Sequence, residues 1–159
     1  MKFTVPFRWL ALFPAILFGW LAAPGAALAH KKVKVTVVTI LASTKDKVVD
    51  KELKCIAKEV QKQKPELTGF QLKDTACESL RPGEKHSFKL VDGQKVVVVV
   101  ERSPDKDKRV RLTVKAPLAK GEIEYITCCG KFLPIKTKYK TKKGELLLIA
   151  VMVRPCNKK

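Results

Sequence analysis

Between Gly69 and Val153 one pattern recurs: short stretches in which apolar and polar residues alternate, parted by residues that favour turns. A period of two is the spacing of one face of a β-strand, so most of this chain can bury its apolar residues only as strands of a sheet. Phe70 and Leu72 alternate with Gln71 and Lys73, and Val110, Leu112 and Val114 alternate with Arg109, Arg111, Thr113 and Lys115. Arg81-Pro82-Gly83-Glu84 and Ser103-Pro104-Asp105-Lys106-Asp107 read as turns, and Pro117 to Gly121 connects to a further strand, Glu122–Ile126. Asp92-Gly93 is a strong hairpin signal, because both central residues of a type I′ turn need positive φ. A two-residue loop there pairs Val91 with Gln94 and sets Phe88 opposite Val97 and His86 opposite Val99. The unbroken run Val96–Val100 predicts a central strand covered on both faces. A last hairpin is expected from Lys131–Tyr139 and Glu145–Val153 around Thr141-Lys142-Lys143-Gly144.

The N-terminal part differs. Lys32 to Val37 alternates and then turns fully apolar through Leu41, as a strand entering a core does. After it, Leu53, Ile56, Ala57 and Val60 fall at i, i+3, i+4 and i+7, which predicts one helix over about 50–63 with Asp50 as its N-cap. Pro65 ends it near Lys64. The fold class expected is α+β and mostly antiparallel β: a sandwich or barrel-like sheet of about eight strands carrying one N-terminal helix.

Residues 1–29 read as a signal peptide, with Lys2 and Arg8 before the apolar run Trp9–Leu21 and the small residues of Ala27-Leu28-Ala29 at the cleavage point. The expectation is a single secreted or periplasmic domain over 30–159, not an integral membrane protein after cleavage. The leader holds two of the 33 basic residues and none of the 15 acidic ones, so the remainder carries 31 against 15, a charge of about +16. One domain of this size can bury a core of its own but has no room for two lobes and a cleft, which excludes a multidomain enzyme.

The order of a Val-rich strand, Ile40-Leu41-Ala42-Ser43, Val49-Asp50-x-x-Leu53-Lys54, Phe70-x-Leu72, Leu80-x-x-Gly83, Leu90-x-x-Gly93-Gln94 and Gly144-x-Leu146-Leu147 resembles an uncharacterised family of small exported bacterial proteins. The resemblance covers nearly all the chain after the leader. It implies an exported β-rich domain and no assigned activity, and it transfers no functional residues.

Cys55, Cys77, Cys128, Cys129 and Cys156 make an odd count, and an exported chain favours their oxidation. A two-residue loop at Lys142-Lys143 would set Cys129 opposite Cys156, so Cys129–Cys156 is the first disulfide candidate, with Cys128–Cys156 its near competitor. Cys55 on the helix and Cys77 on the next strand form a second candidate pair. Buried free thiols are the alternative for both. The absence of any C-x-x-C spacing argues against a thiolate metal site.

Cleavage after Ala29 would make His30 the N-terminus, an amine and an imidazole on one residue, and with His86 it could bind copper as a histidine brace does. Lys31 and Lys32 oppose a cation there. This periplasmic copper-binding reading is the alternative to the main one. No G-x-S-x-G, H-E-x-x-H or phosphate-cradling glycine motif occurs, and the acidic pairs Glu122/Glu124 and Asp105/Asp107 lie near turns among lysines. No catalytic residues are assigned.

Basic residues follow the strand period: Lys32 and Lys34, Arg109 and Arg111, and Lys136, Lys138 and Lys140. If such strands are neighbours they form a basic stripe, which attracts polyanions. Six arginines leave 27 lysines among the 33 basic residues, and lysine is a point charge without arginine's bidentate fork, so sequence-specific nucleic-acid recognition is disfavoured. The main expectation is a non-catalytic binding or structural role in the cell envelope: low-specificity association with anionic polymers or lipid headgroups through Lys136, Lys138, Lys140, Arg109 and Arg111. The bland alternative is a lysine-coated face that only keeps strand edges soluble.

Overall fold

Eight strands form two four-stranded antiparallel sheets in a sandwich-like arrangement. In the computed structural model residues 32–118 and 121–155 are described; the expected leader with His30, and Cys156, lie outside them. One sheet holds β1 (Val33–Ser43), β2 (Gly69–Leu80), β7 (Phe132–Lys140) and β8 (Leu146–Pro155) in the order β2-β1-β8-β7. The other holds β3 (Lys85–Lys89), β4 (Lys95–Val100), β5 (Arg109–Lys115) and β6 (Ile123–Cys128) in sequence order. The helix α1 (Lys54–Gln63), entered through a 3-10 turn at Lys51–Leu53, lies on the first sheet against β7. The α+β reading with one early helix therefore holds, in the open form: neither sheet closes into a barrel.

The two sheets face each other across Val33, Val35 and Val37 of β1, Ile149, Val151 and Val153 of β8, and Phe88, Val96, Val98, Val100, Val110, Leu112 and Val114 of the second sheet. A second core lies between the other face of the first sheet and α1, built from Val38, Ile40, Ala42, Leu53, Ile56, Phe70, Leu148 and Ala150. β1 and β8 are thus covered on both sides, which is why eight successive residues, Leu146–Val153, are buried. The run Val96–Val100 is different: Val96, Val98 and Val100 are buried, but Val97 and Val99 on the outer face are only half-buried. β4 is central, yet the expectation that both its faces are covered is overturned, because the one α-helix among the described residues lies on the other sheet.

Both hairpin loops are longer than expected. The β3–β4 hairpin closes with Leu90 N–H on the Gln94 carbonyl (2.8 Å) around Val91–Gly93, where Asp92 and Gly93 take φ of 52° and 70°. The register moves by one residue, so Phe88 faces Val96 and His86 faces Val98. A slip of one would have turned Phe88's partners to the opposite face; the observed frame keeps Phe88 in the core with Val96 and Val98. The β7–β8 hairpin closes at Thr141 and Glu145 around three residues, with Gly144 at φ 82°, and shifts again between Lys136 and Lys140. Phe132 then faces Met152, one residue off the frame of a two-residue loop, and the disulfide candidates with Cys156 lie outside the described residues.

Asp50 stands at the predicted helix start but does not cap it: its carboxylate accepts no bond from the first turn and instead takes the Leu72 N–H at 2.7 Å. The reason lies in β2, where the register to β1 skips a residue (Thr39 faces Asp74, Ile40 faces Leu72). The same segment also pairs in parallel with β2, through Phe70 N–H to Val48 O and Asp50 N–H to Phe70 O, and so covers the start of an otherwise open edge. At Gly69 a Cβ would come within 2.9 Å of Asp46, so only glycine lets this loop close on β2. Asp50→Ala strands the Leu72 N–H and is expected to cost about 1–3 kcal/mol, whereas Asp50→Asn keeps an acceptor and should cost less; urea unfolding of the two variants checks this.

Candidate functional site

The hairpins β3–β4 and β4–β5 make their strands neighbours, and alternation sends every second residue of each to the outer face of the second sheet. Lys89 faces Lys95, Ser87 faces Val97 and Val97 faces Lys115, Lys85 faces Val99 and Val99 faces Thr113. Thr113 continues to Glu124, and Arg111 to Ile126, on β6. Lys85, Lys89, Lys95, Arg111 and Lys115 are all exposed, and none makes an ion pair among the described residues. Against these five cations the strands of this face carry one carboxylate, Glu124 at the edge; Glu101 follows β4, its N–H on the Arg111 carbonyl. Their aliphatic stems flank Val97, Val99 and Thr113 at the middle of the sheet.

Arg109 lies at the end of β5 on this same face but is already neutralised. Its Nε lies 2.9 Å from Asp105 Oδ2 and its Nη2 lies 2.8 Å from Asp107 Oδ2, while Asp105 Oδ1 accepts the Arg109 backbone N–H. That backbone bond and the guanidinium hold the Asp105 carboxyl below its ordinary range, and the paired carboxylates raise Arg109 in turn. Of the two predicted arginines, only Arg111 is free to meet an anion.

Lys136, Lys138 and Lys140 are in the other sheet. Lys136 faces Leu148 and Lys140 faces Leu146, which turns them to the helix side of the sandwich, away from Arg109 and Arg111. No two of the three predicted basic strands, β1, β5 and β7, are neighbours, so the expected combined stripe is not assembled. The helix side is also mixed in charge: Glu59 pairs with Lys62 and Glu66 with Lys64. A backbone hydrogen bond, then Lys64, and more weakly Lys136 hold the Glu66 carboxyl low. Tyr139, between Lys138 and Lys140 in sequence, is held elsewhere. Its hydroxyl donates to Asp92 at 2.8 Å, tying β7 to the β3–β4 loop, and that bond raises the phenol's pKa.

The remaining predicted residues are scattered. Cys55, Cys77, Cys128 and Cys129 carry free thiols. Cys55 is on α1 and Cys77 in β2, both exposed, and Cys128 faces Arg109 at the end of β6. Cys129 lies in the turn that crosses between sheets, its N–H on the Lys108 carbonyl and its thiol pushed up by burial. His86 packs edge-on against Phe88, ring centroids 4.8 Å apart. No group of three or more His, Cys, Asp or Glu able to hold a metal occurs among the described residues.

A concavity of about 260 Å³ lies at the loop that covers β2 and is lined by Asp46, Asp50, Glu145, Ser43 and Phe70 among others. Three of its side chains are engaged locally: Ser43 Oγ accepts from the Lys45 and Asp46 backbone and Asp50 from Leu72 in the loop, and Glu145 accepts from Thr141 in the β7–β8 hairpin. No histidine or cysteine is among its lining residues. Among the described residues no helix is long and apolar enough to cross a membrane.

Lys85, Lys89, Lys95 and Lys115 were not among the residues that sequence pattern selected. The signal was present: each lies on the polar phase of its strand, and short hairpins join the three strands in order. No family model matches this chain, and no curated protein or solved structure matches it closely enough to count as a relative.

Proposed function

We propose that this is an exported, non-catalytic domain of the cell envelope that associates with anionic polymers or surfaces at low specificity, through the outer face of the β3-β4-β5-β6 sheet. The observation that carries the reading is the set of five exposed and unpaired cations on three adjacent strands, Lys85, Lys89, Lys95, Arg111 and Lys115. Four of the five are lysines, strongly hydrated point charges without a fixed hydrogen-bonding fork. Such a face attracts negative charge density without reading its pattern, and the attraction weakens as salt screens it. The Lys136–Lys140 row, with Glu59 and Glu66 close by on the helix side, is the weaker of the two basic surfaces.

Retention on an anionic matrix tests this. The logarithm of binding should fall linearly with the logarithm of salt concentration, with a slope of about 4 if five cations each displace a counterion. Changing Lys85, Lys95 and Lys115 together to Gln should reduce that slope by about 2–3. A slope unchanged by the triple substitution would overturn the assignment of the face.

A further inference from the structure

We infer that the anionic partner is a lipid bilayer surface, on which the open sheet lies face down; this rests on the reading of that face as the anion-binding one. Three observations favour lipid over a soluble polymer. Among the described residues the strands of this face present no aromatic side chain: they turn outward Lys85, Ser87, Lys89, Lys95, Val97, Val99, Arg109, Arg111, Thr113, Lys115, Glu124, Ile126 and Cys128, so the face offers no platform for stacking on sugar rings or bases. Its middle and edge are apolar: Val97 and Val99 are half-buried and Ile126 is 63% exposed. A hydrated polymer gains nothing from those groups, whereas the boundary between headgroups and acyl chains takes up apolar surface. The cations are also laid out in two dimensions, on strands spaced about 4.8 Å apart, which matches a plane of many separate monoanions better than a single extended chain.

Val97 and Val99 thereby acquire a use. Their strand is as apolar as β8, yet among the described residues no helix lies on their face, whereas β8 is covered on both sides. Lysines at Lys85, Lys89, Lys95 and Lys115 surround that uncovered strip on its own strand and both neighbours. The apolar strip makes contact once the charges have drawn the sheet to the surface. Each lysine near an anionic membrane is worth about fivefold in affinity, so three together amount to about a hundredfold.

The experiment compares cosedimentation of the purified protein with phosphatidylglycerol vesicles, with phosphatidylcholine vesicles, and binding to soluble dextran sulfate, at two salt concentrations. The expected result is binding to phosphatidylglycerol and none to phosphatidylcholine. Val97→Thr with Ile126→Thr should weaken vesicle binding several-fold and leave dextran sulfate binding unchanged. Ile126→Thr alone, at a position open to solvent, gives the same comparison if the pair disturbs folding. Lysine-dependent binding to dextran sulfate without binding to vesicles would overturn the lipid assignment and leave the anion-binding reading standing. Binding to neither would overturn both. Equal loss on vesicles and dextran sulfate in the threonine variants would show that the apolar strip is not a membrane contact, and would overturn the inference.

Discussion

Phe70→Ala is expected to remove about 3–5 kcal/mol of stability, a large part of the 5–15 kcal/mol or so that holds a domain together. Phe70 is 1% exposed and belongs to the core under α1, with Ile40, Leu53, Ile56 and Leu148 around it. That core joins a helix to a sheet across a single layer of side chains, and alanine would leave a void there. Phe70's backbone is held from both sides, by Ala42 of β1 and by the Val48–Asp50 segment, so the surroundings have little freedom to collapse into the space. Urea unfolding should show a lower midpoint with an unchanged slope. A loss below about 1 kcal/mol would mean that α1 contributes little to the fold.

The second large effect concerns binding. Reversing Lys85, Lys95 and Lys115 to Glu should abolish retention on an anionic matrix at moderate salt, a loss of more than about a hundredfold, since neutralising three such charges already accounts for that much. The three positions are exposed on β3, β4 and β5, and none takes part in an ion pair, so the reversal removes no described partner. Lys95→Glu would instead face Lys89 directly across the β3–β4 pair, and Lys85→Glu and Lys115→Glu would lie four residues along their strands from Lys89 and Arg111 on the same face, offsetting what remains. Stability should change little, because surface substitutions of this kind commonly stay within about 0.5 kcal/mol.

Much of this architecture is legible in the sequence because it depends on period. The alternation in β5 and the helical spacing of Leu53, Ile56, Ala57 and Val60 place each element and its buried face without knowledge of its neighbours. Failures came where a partner decides. Asp50 looks like an N-cap because its spacing before the helix suits one, but a skipped residue in β2, invisible locally, offers it a better donor at Leu72. Val96–Val100 reads like a doubly covered strand, and only the placement of α1 on the other sheet leaves Val97 and Val99 open. Loop length separates Asp92-Gly93 from the expected two-residue turn, and the three-residue loop between Thr141 and Glu145 shifts the β7–β8 frame in the same way.

The candidate site was legible in part for the same reason. Basic residues on strand periods mark outward faces, but a stripe depends on which strands are adjacent. The Lys136–Lys140 row drew attention because three lysines alternate without interruption on one strand. The face assembled from β3, β4 and β5 has at most two lysines on each strand and emerges only when the strands are laid side by side. Arg109 illustrates the complementary difficulty: its position on the strand is right, and the two carboxylates of the preceding turn have taken its charge.

One comparison tests the central claim most directly. Lys85, Lys95 and Lys115→Glu and Lys136, Lys138 and Lys140→Glu change the net charge equally, so attraction governed by total charge would weaken alike in both. Measured side by side on the same anionic matrix across a salt series, the first variant should lose retention and its salt dependence while the second stays near the unmodified protein. Equal losses in the two, or a greater loss in the second, would contradict the assignment of binding to the open sheet.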